Sequence, residues 1–413
     1  MATLFTNIGT LANVRDTYSL LRGDALAELP CIHNAYLVVE DGVITGYGPM
    51  SGLKHAPAGF DDHYDATGRC ILPAWCDSHT HLVFAGSREE EFVDKIKGMS
   101  YAEIAARGGG ILSSARKLAA TTAEDLFRQS HSRLQEVMKL GTGAMEIKSG
   151  YGLTLEGELK MLRVIQRLKK EAKIPIKATF LGAHSVPPEY KENKEGYIDL
   201  ILDEMLPVIG REGLADYIDV FCEQGFYTAE ETARILAAGK EYGLKPKIHA
   251  NQLSVSGGVQ VGVQAGAVSV DHLESMDEAA INTLAGSGTI GTLLPTAAFF
   301  LRMAYQPARA LVDSGCAIAL ATDYNPGSSP SGNMNFVVAL SCIQMRLLPE
   351  EAVNAATING AYAMELQDKV GSITRGKMAN LILTKPVPSL AYLPYSFGYN
   401  LVENVMIGGE WMQ

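Results

Sequence analysis

The 413-residue sequence has little of what nucleic-acid-binding or membrane proteins need. Its formal net charge is −11, and its one short basic run, residues 167–170, falls in a predicted helix with acidic residues nearby. Because a phosphate backbone is bound by clustered Lys and Arg, we expect no nucleic-acid partner. No stretch approaches the ~18 uninterrupted apolar residues of a membrane span, and the first residues do not resemble a signal peptide. We therefore expect no membrane association.

Cysteine-pair motifs are also missing. The six cysteines are scattered without Cys-x-x-Cys spacing, which in a chain of this length is typical of reduced, mostly buried thiols. We therefore expect a cytoplasmic protein, and we assign Cys76 to packing although it lies near the candidate site. The sequence does not determine the oligomeric state; a homodimer is the general expectation because two-fold dimers are the commonest oligomers.

The middle of the chain lacks the Gly-x-Gly-x-x-Gly motif of an open dinucleotide-binding sheet. Instead it alternates strand-like and helix-like segments, and 47% hydrophobic residues are ample for a large core. The predicted strands are residues 70–77, 143–148, 175–183, 217–222, 246–250, 268–272, 289–294 and 317–323. Eight such βα units over roughly 300 residues predict an α/β fold of the (β/α)₈, TIM-type barrel class.

Both ends of the chain have a different character. Residues 1–66 and 371–413 contain short β-like pieces and turns, among them Asp41-Gly42 between two apolar runs, a strong hairpin signal. Neither end alone has enough strands to bury a sheet face. We therefore predict that the two ends combine into one small β-sandwich domain beside a barrel domain of residues 67–370.

The histidines are concentrated where a barrel has its active site, at the C-terminal ends of its strands. His79 and His81 follow the first strand, and because alternate residues of a strand share a face, both imidazoles can point at one spot. Five of the nine histidines fall at the C-terminal ends of predicted strands: His79, His81, His184, His249 and His272. Each alone has an ordinary structural explanation, but their shared location favours a functional interpretation.

Three imidazoles, from His79, His81 and His249, combine with the carboxylate of Asp323 at the end of strand eight into a ligand set with a position open for water. That arrangement is typical of a catalytic metal site. The metal would lower the pKa of a water molecule and polarise a carbonyl. Asp323 could take the water's proton, and His272 could bond the water or the developing oxyanion. We expect one divalent or trivalent ion, zinc or iron, without a preference between them.

This pattern of His-x-His on strand one, His on strands five and six, and Asp on strand eight resembles the mononuclear branch of the amidohydrolase superfamily. Residues 371–380 resemble that superfamily's return to its β domain, although Asn380 stands where Asp is usual. Longer motifs, at residues 84–92, 107–111, 146–153 and 321–327, closely resemble the imidazolonepropionase family, and the resemblance spans nearly the whole chain.

The resemblance implies a small-molecule enzyme, a cyclic-amide hydrolase that opens 4-imidazolone-5-propanoate with water to N-formimidoyl-L-glutamate in histidine degradation. Arg88 could grip the substrate carboxylate, or simply pair with a neighbouring Glu. The other implied substrate contacts are Tyr151, His184, Gln252, Asn325, Gly327 and Ser328, with Tyr101 and glycines 108–110 as weaker candidates. Lys148 could suggest a carbamylated lysine in a two-metal site, but its place on strand two favours a structural role.

Gln252 helps to distinguish between alternative functions of the protein, and it is itself a candidate catalytic residue. Related deaminases carry Glu three residues after the strand-five His, where it moves protons, and an amide cannot do so. Some imidazolonepropionases also carry Glu there, so the proton route to the leaving nitrogen stays open. The alternatives are a deaminase of a nucleobase-like heterocycle and a non-catalytic scaffold. Loss of metal ligands would mark a scaffold, and all four ligands are present.

Overall fold

The computed structural model describes residues 2–53, 59–99, 103 and 107–412, and two sheets organise them. The strands are Ala2–Ala12 (β1), Cys31–Glu40 (β2), Val43–Pro49 (β3), Asp62–Asp65 (β4), Cys70–Pro73 (β5), Trp75–Asp77 (β6), Thr142–Lys148 (β7), Ile176–Ala183 (β8), Tyr217–Cys222 (β9), Lys245–Ala250 (β10), Ser269–His272 (β11), Ile290–Leu293 (β12), Ile318–Leu320 (β13), Leu381–Thr384 (β14), Val402–Ile407 (β15) and Glu410–Trp411 (β16).

Most helices lie between the strands of the second sheet. They are Glu89–Ile96 (α1), Ile111–Ala120 (α2), Ala123–Lys139 (α3), Leu155–Glu171 (α4), Lys194–Asp199 (α5), Leu206–Glu212 (α6), Ala229–Glu241 (α7), Gly258–Gln264 (α8), Glu278–Ala285 (α9), Pro295–Leu301 (α10), Ala308–Asp313 (α11), Met334–Met345 (α12), Pro349–Ala356 (α13), Ile358–Tyr362 (α14) and Tyr392–Tyr395 (α15). No described helix has the length and apolar character that crossing a membrane requires.

The second sheet is the barrel, in which β6 to β13 follow one another in chain order with parallel neighbours. All six residues of β9 are buried, as expected for a parallel strand covered on both faces. The first and last strands approach at their C-terminal ends, where the His81 N–H donates to the Tyr324 carbonyl (2.9 Å) and the Asp323 N–H to the His79 carbonyl (3.0 Å). These bonds join the two segments that carry candidate metal ligands.

Local sequence signals explain where the barrel helices begin and which face they bury. Thr228 and Glu231 form a reciprocal capping box at the start of α7. Thr154 caps α4, where its side chain accepts a hydrogen bond from the Gly157 N–H. The apolar residues at helical spacing in α4, including Leu162 and Ile165, are buried.

The first sheet is built from both chain ends, in the order β16-β15-β14-β5-β1-β2-β3, with β4 also paired to β1. The predicted Asp41-Gly42 hairpin is present, and both residues have positive φ (48° and 81°), as a type I′ turn requires. Buried residues of this sheet form one apolar cluster. The Ile44 N–H donates to the Lys377 carbonyl (2.9 Å) and joins the β3 edge to the segment before β14. The predicted fold class is confirmed.

One predicted strand is divided. The sequence predicts residues 70–77 as the first barrel strand, but Cys70–Pro73 pairs with β1 and β14 in the first sheet, and only Trp75–Asp77 belongs to the barrel. Pro73 has no N–H with which to continue a ladder. The Ala74 N–H donates to Asn380 and the Trp75 N–H to Gly141, so the pairing partner changes within two residues.

Asn380 has a specific role at this junction of the two sheets. Its side-chain amide donates to the Gly143 carbonyl (2.8 Å), while its side-chain oxygen accepts from the Gly408 N–H (2.8 Å). An ionised Asp could accept the second bond but could not donate the first. The Asn in place of the superfamily's usual Asp therefore ties β7 of the barrel to the first sheet.

Packing in the first sheet can be tested at Phe5, which is fully buried with its ring centroid 5.6 Å from Tyr64 and 5.7 Å from Trp411. We expect Phe5→Ala to lower the free energy of unfolding by about 3 to 5 kcal/mol, because it leaves a cavity among aromatic rings. Tyr399→Ala is the control, since that side chain is 78% exposed and its loss should change stability by less than about 0.5 kcal/mol. Urea denaturation measures both, and equal effects would contradict this account.

Candidate active site

Four candidate ligands converge at the mouth of the barrel. His79 Nε2 and His81 Nε2 each lie 3.5 Å from Asp323 Oδ1, and His249 Nε2 lies 3.4 Å from His81 Nε2. All four side chains are buried. The structure therefore brings together residues from strands one, five and eight.

These donors fit a metal ion. His79 Nε2 is buried and has no hydrogen-bond partner among the described residues. Metal–ligand bonds of about 2.0 to 2.1 Å place neighbouring ligand atoms of a tetrahedron about 3.4 Å apart, close to the separations seen here. His79 and His272 also approach Asp323, but His272 has another partner, described below. The arrangement can hold a metal ion through three Nε2 atoms and one carboxylate oxygen.

Two buried carboxylates orient the histidines. Asp271 Oδ2 lies 2.6 Å from His79 Nδ1, and Asp219 Oδ2 lies 3.0 Å from His249 Nδ1. With the proton held on Nδ1, the Nε2 lone pair is free for a metal. Burial, followed by the charge of Lys148, places the pKa of His79 well below its usual value; burial, followed by His184, does the same for the pKa of His81. Both imidazoles are therefore neutral, as metal ligation requires.

His272 has a different environment. Its Nδ1 lies 3.3 Å from Glu274 Oε1, which also accepts a hydrogen bond from the Gln306 amide (2.9 Å). Burial alone would lower the pKa of His272, but the charges of Glu274, Asp323 and Asp271 together outweigh burial and raise it. Its backbone φ of 88° and the φ of 52° at Asp323 are uncommon for non-glycine residues and are often found at functional sites.

Glu274 and Gln306 are not among the site residues predicted from the sequence. Glu274 stands two residues after the strand-six His, a position from which its role could have been inferred. Gln306 lies outside the helices and strands, between α10 and α11, and offers no such signal.

A cavity of about 330 Å³ opens above the four ligands. Apolar side chains, among them Phe221, Phe226 and Leu301, form part of its wall. The sequence-predicted residues that line it are His81, Arg88, Tyr151, His184, His249, Gln252, His272, Asp323, Asn325, Gly327 and Ser328. Tyr101 lies outside the described residues.

Arg88 reaches the cavity from the residue just before α1. Its Nε donates to Glu91 Oε2 (3.0 Å), so the neighbouring-Glu pair considered from the sequence is present. The Arg88 side chain is nevertheless only 10% exposed, and it lies against Gly327 so closely that a Cβ there would overlap its guanidinium. Gly327 therefore leaves the space that Arg88 occupies. Glu91 also accepts from the Gly110 N–H (3.0 Å), which links the predicted glycine loop to Arg88.

Tyr151 and His184 are held by one buried carboxylate that the sequence analysis did not identify. Glu158, at the start of α4, accepts hydrogen bonds from the backbone N–H groups of Gly150 (3.0 Å), Gly152 (2.7 Å) and Leu153 (3.0 Å). His184 Nδ1 in turn bonds the Gly150 carbonyl (3.0 Å), and burial lowers the pKa of His184 to about 3. This loop therefore presents the Tyr151 phenol to the cavity, and its Gly150 carbonyl anchors the neutral His184 imidazole, which follows β8.

Lys148 and Cys76 lie outside the cavity. Lys148 Nζ is 2.6 Å from Glu146 and 2.9 Å from Asp219, so its ammonium is engaged by carboxylates, which argues against a carbamylated ligand. Cys76 is fully buried beside Ala361 and Met364, and burial raises the pKa of its thiol to about 12. Its surroundings are those of a packing residue.

The model of the amidohydrolase family matches residues 70–412, and the chain belongs to that family. A solved structure of 5-methylcytosine deaminase from Klebsiella pneumoniae shares the fold, with a TM-score of 0.75 at 17% identity over 99% of this chain and 97% of that one.

Much higher identity is found with imidazolonepropionases. Those of Flavobacterium johnsoniae and Christiangramia forsetii are 58% and 54% identical over 411 residues, which cover 99% of this chain and 100% of each relative. Within the amidohydrolase family, the chain therefore belongs to the imidazolonepropionases.

The role of Asp271 can be tested by replacing its charge. We expect Asp271→Asn to weaken metal binding by about 10-fold or more, because groups that orient metal-bound histidines typically contribute 10- to 100-fold to affinity. Competition against a chromophoric chelator measures the affinity. Asp313→Asn is the control, because that side chain is 62% exposed and pairs only with Arg309 among the described residues. Unchanged affinity in Asp271→Asn would contradict the role.

Proposed function

We propose that the cavity binds 4-imidazolone-5-propanoate and that the site opens its ring with water, giving N-formimidoyl-L-glutamate in histidine degradation. The observation that carries the proposal is the convergence of three imidazoles and Asp323 at the base of a cavity that also presents Arg88. The chain's 58% and 54% identity to imidazolonepropionases over full length supports the same substrate.

Substrate binding follows from the groups around the cavity. The guanidinium of Arg88, which lines the cavity, is proposed to bind the substrate carboxylate bidentately. Tyr151, neutral His184 and the Gln252 amide are proposed to bond the polar atoms of the ring. Asn325 and Ser328 are proposed to complete the polar wall; their side chains bond each other at 2.7 Å, and Ser328 Oγ also donates to Asp323 Oδ2 (3.1 Å).

The chemistry is shared between the bound metal and two residues. When bound, the metal supplies Lewis acidity to the ring carbonyl and activates a water molecule. Asp323 is proposed to accept the proton of that water, and burial, which raises its pKa, makes it a better proton acceptor. His272, held by Glu274, is proposed to donate a hydrogen bond to the developing oxyanion.

The proton must then reach the leaving ring nitrogen. The Gln252 amide can orient that nitrogen by a hydrogen bond but cannot carry a proton to it. We therefore propose that Asp323 returns the proton as the C–N bond breaks.

The remaining proposals concern the setting of the reaction. We propose that residues 1–66 and 371–413 form the small β domain and residues 67–370 the catalytic barrel, with β5 shared at the junction. One zinc or iron ion is the proposed cofactor, which elemental analysis distinguishes. A cytoplasmic location, from the scattered cysteines, and a homodimer, by general frequency, are proposed as well.

The decisive assay uses freshly generated imidazolone. Loss of the imidazolone absorbance together with formation of formimidoylglutamate supports the proposal. Release of ammonia from a nucleobase instead would identify a deaminase, and metal-loaded protein without turnover of either substrate would identify a scaffold.

The role of His272 can be separated from metal binding. We expect His272→Asn to lower kcat by about 10²- to 10³-fold, as loss of an oxyanion donor does. Asn tolerates the positive φ of this position, so the fold and metal content should persist. Steady-state kinetics with metal analysis measure this, and His131→Asn on α3 is the control. A kcat close to that of the unchanged protein would contradict the assignment.

The role of Arg88 should appear in KM. We expect Arg88→Met to raise KM by about 10- to 100-fold, since a charge-assisted hydrogen bond contributes about 1.5 to 3 kcal/mol. The control is Arg128→Met, because the Arg128 side chain is 77% exposed. If Arg88 instead serves only its pair with Glu91, Arg88→Met will reduce stability while KM stays unchanged.

A further inference from the structure

Five charged side chains are buried beneath the proposed metal site, where no solvent reaches them. Glu146, Lys148, Asp219, Lys247 and Asp271 come from four barrel strands, β7, β9, β10 and β11, and each is at most 1% exposed. Burying charges costs free energy that a well-packed apolar core would not. A contribution to stability therefore does not explain why these charged side chains are buried together.

Lys148 occupies the centre of this cluster. Its Nζ donates to Glu146 Oε1 (2.6 Å) and Asp219 Oδ2 (2.9 Å), and lies 3.6 Å from Asp271 Oδ2. Burial alone would lower the pKa of Lys148, but Asp219, Glu146 and Asp271 together outweigh burial and raise it. Lys148 therefore lies between three carboxylates that favour its charged form.

Two of those carboxylates orient proposed metal ligands. The Asp219 oxygen that bonds His249 Nδ1 is Oδ2, the same atom that accepts from Lys148. The Asp271 oxygen that bonds His79 Nδ1 is likewise the atom nearest to Lys148. A single ammonium thus faces both oxygens through which ligands on strands one and five are aligned.

Lys247 provides an internal comparison. It is equally buried and also pairs with Glu146, but its other described hydrogen bonds go to the carbonyls of Ser78 (3.1 Å) and Ala363 (3.3 Å). None of its described bonds reaches Asp219 or Asp271. The two lysines therefore share burial and an ion pair, and differ in contact with the aspartates.

We propose that Lys148 is a positioning residue for the metal site, whose ammonium holds Asp219 and Asp271 in the orientations that direct His249 Nε2 and His79 Nε2 to one point. Without the cation, the two carboxylates lose their common partner and are left to repel each other in a buried environment. Both histidines then lose their fixed orientation together.

The inference rests on the metal-dependent function proposed above, but its test needs no substrate. Metal-stripped protein is titrated with Zn²⁺ against a chromophoric chelator, and with Co²⁺ while the visible absorption spectrum is recorded. We expect Lys148→Met to weaken Zn²⁺ binding by about 10- to 100-fold and to alter the Co²⁺ spectrum. Lys247→Met should leave both close to those of the unchanged protein.

The outcomes separate positioning from general support. Unchanged Zn²⁺ affinity in Lys148→Met, or an equal loss in both lysine variants, overturns the proposal. Failure of the imidazolone assay with intact metal binding would instead count against the proposed substrate and leave this inference standing.

A second pair of variants covers the case in which Lys148→Met does not fold. The double variant Lys148→Met/Glu146→Gln removes one cation and one anion, so the net charge of the cluster is preserved. Glu146→Gln alone is its control. We expect the double variant to lose Zn²⁺ affinity relative to Glu146→Gln, because Asp219 and Asp271 still lack the ammonium; equal affinities overturn the proposal.

Discussion

The hydrogen bond from the Asp323 N–H to the His79 carbonyl is the contact on which the site most depends. It joins the end of the first barrel strand to the end of the last, and each residue contributes a proposed metal ligand. A barrel that remained open at this seam would leave His79 and Asp323 on opposite edges of a sheet. Closure of the barrel and the meeting of these two proposed ligands therefore depend on the same contacts.

The clustered histidines of the site must also be kept in the protonation states that their roles require. A metal ion binds imidazoles in their neutral form. Several imidazoles lie close together in one buried space here, and if they were protonated their positive charges would repel one another. Burial lowers the pKa of His79 and His81, while carboxylates hold the Nδ1 protons of His79 and His249. For His272, the charges of Glu274, Asp323 and Asp271 outweigh burial and raise the pKa. The balance between burial and nearby carboxylates thus differs between His272 and the two proposed ligands His79 and His81.

The features predicted correctly from the sequence are those that follow from rules common to all parallel barrels. Parallel barrel strands are buried on both faces, so they appear as apolar runs, and the ends of such strands must meet at one rim. Those two rules located the eight strands, and they predicted that His79, His249 and Asp323 would meet.

Sequence reasoning was less successful where the answer depends on distant partners. Residues 70–77 form one apolar run, and only contacts with Asn380 and Gly141 show that the run is divided between two sheets. Glu158 resembles any acidic residue near a helix start, and its role emerges only when three backbone N–H groups surround it. The cluster around Lys148 is hidden for the same reason, since its members come from four strands.

The division of the strand at Pro73 also links the position of His79 to the sheet built from the chain ends. From Cys70 in the first sheet the backbone runs through β5 and β6 directly to His79, with no loop of more than one residue between the strands. A shift of β5 by one residue along β14 would move His79 by about 3.3 Å along the strand axis. It would also turn the His79 side chain to the opposite face. The register of β5 in the sheet built from the chain ends therefore sets the positions of the His79 and His81 imidazoles.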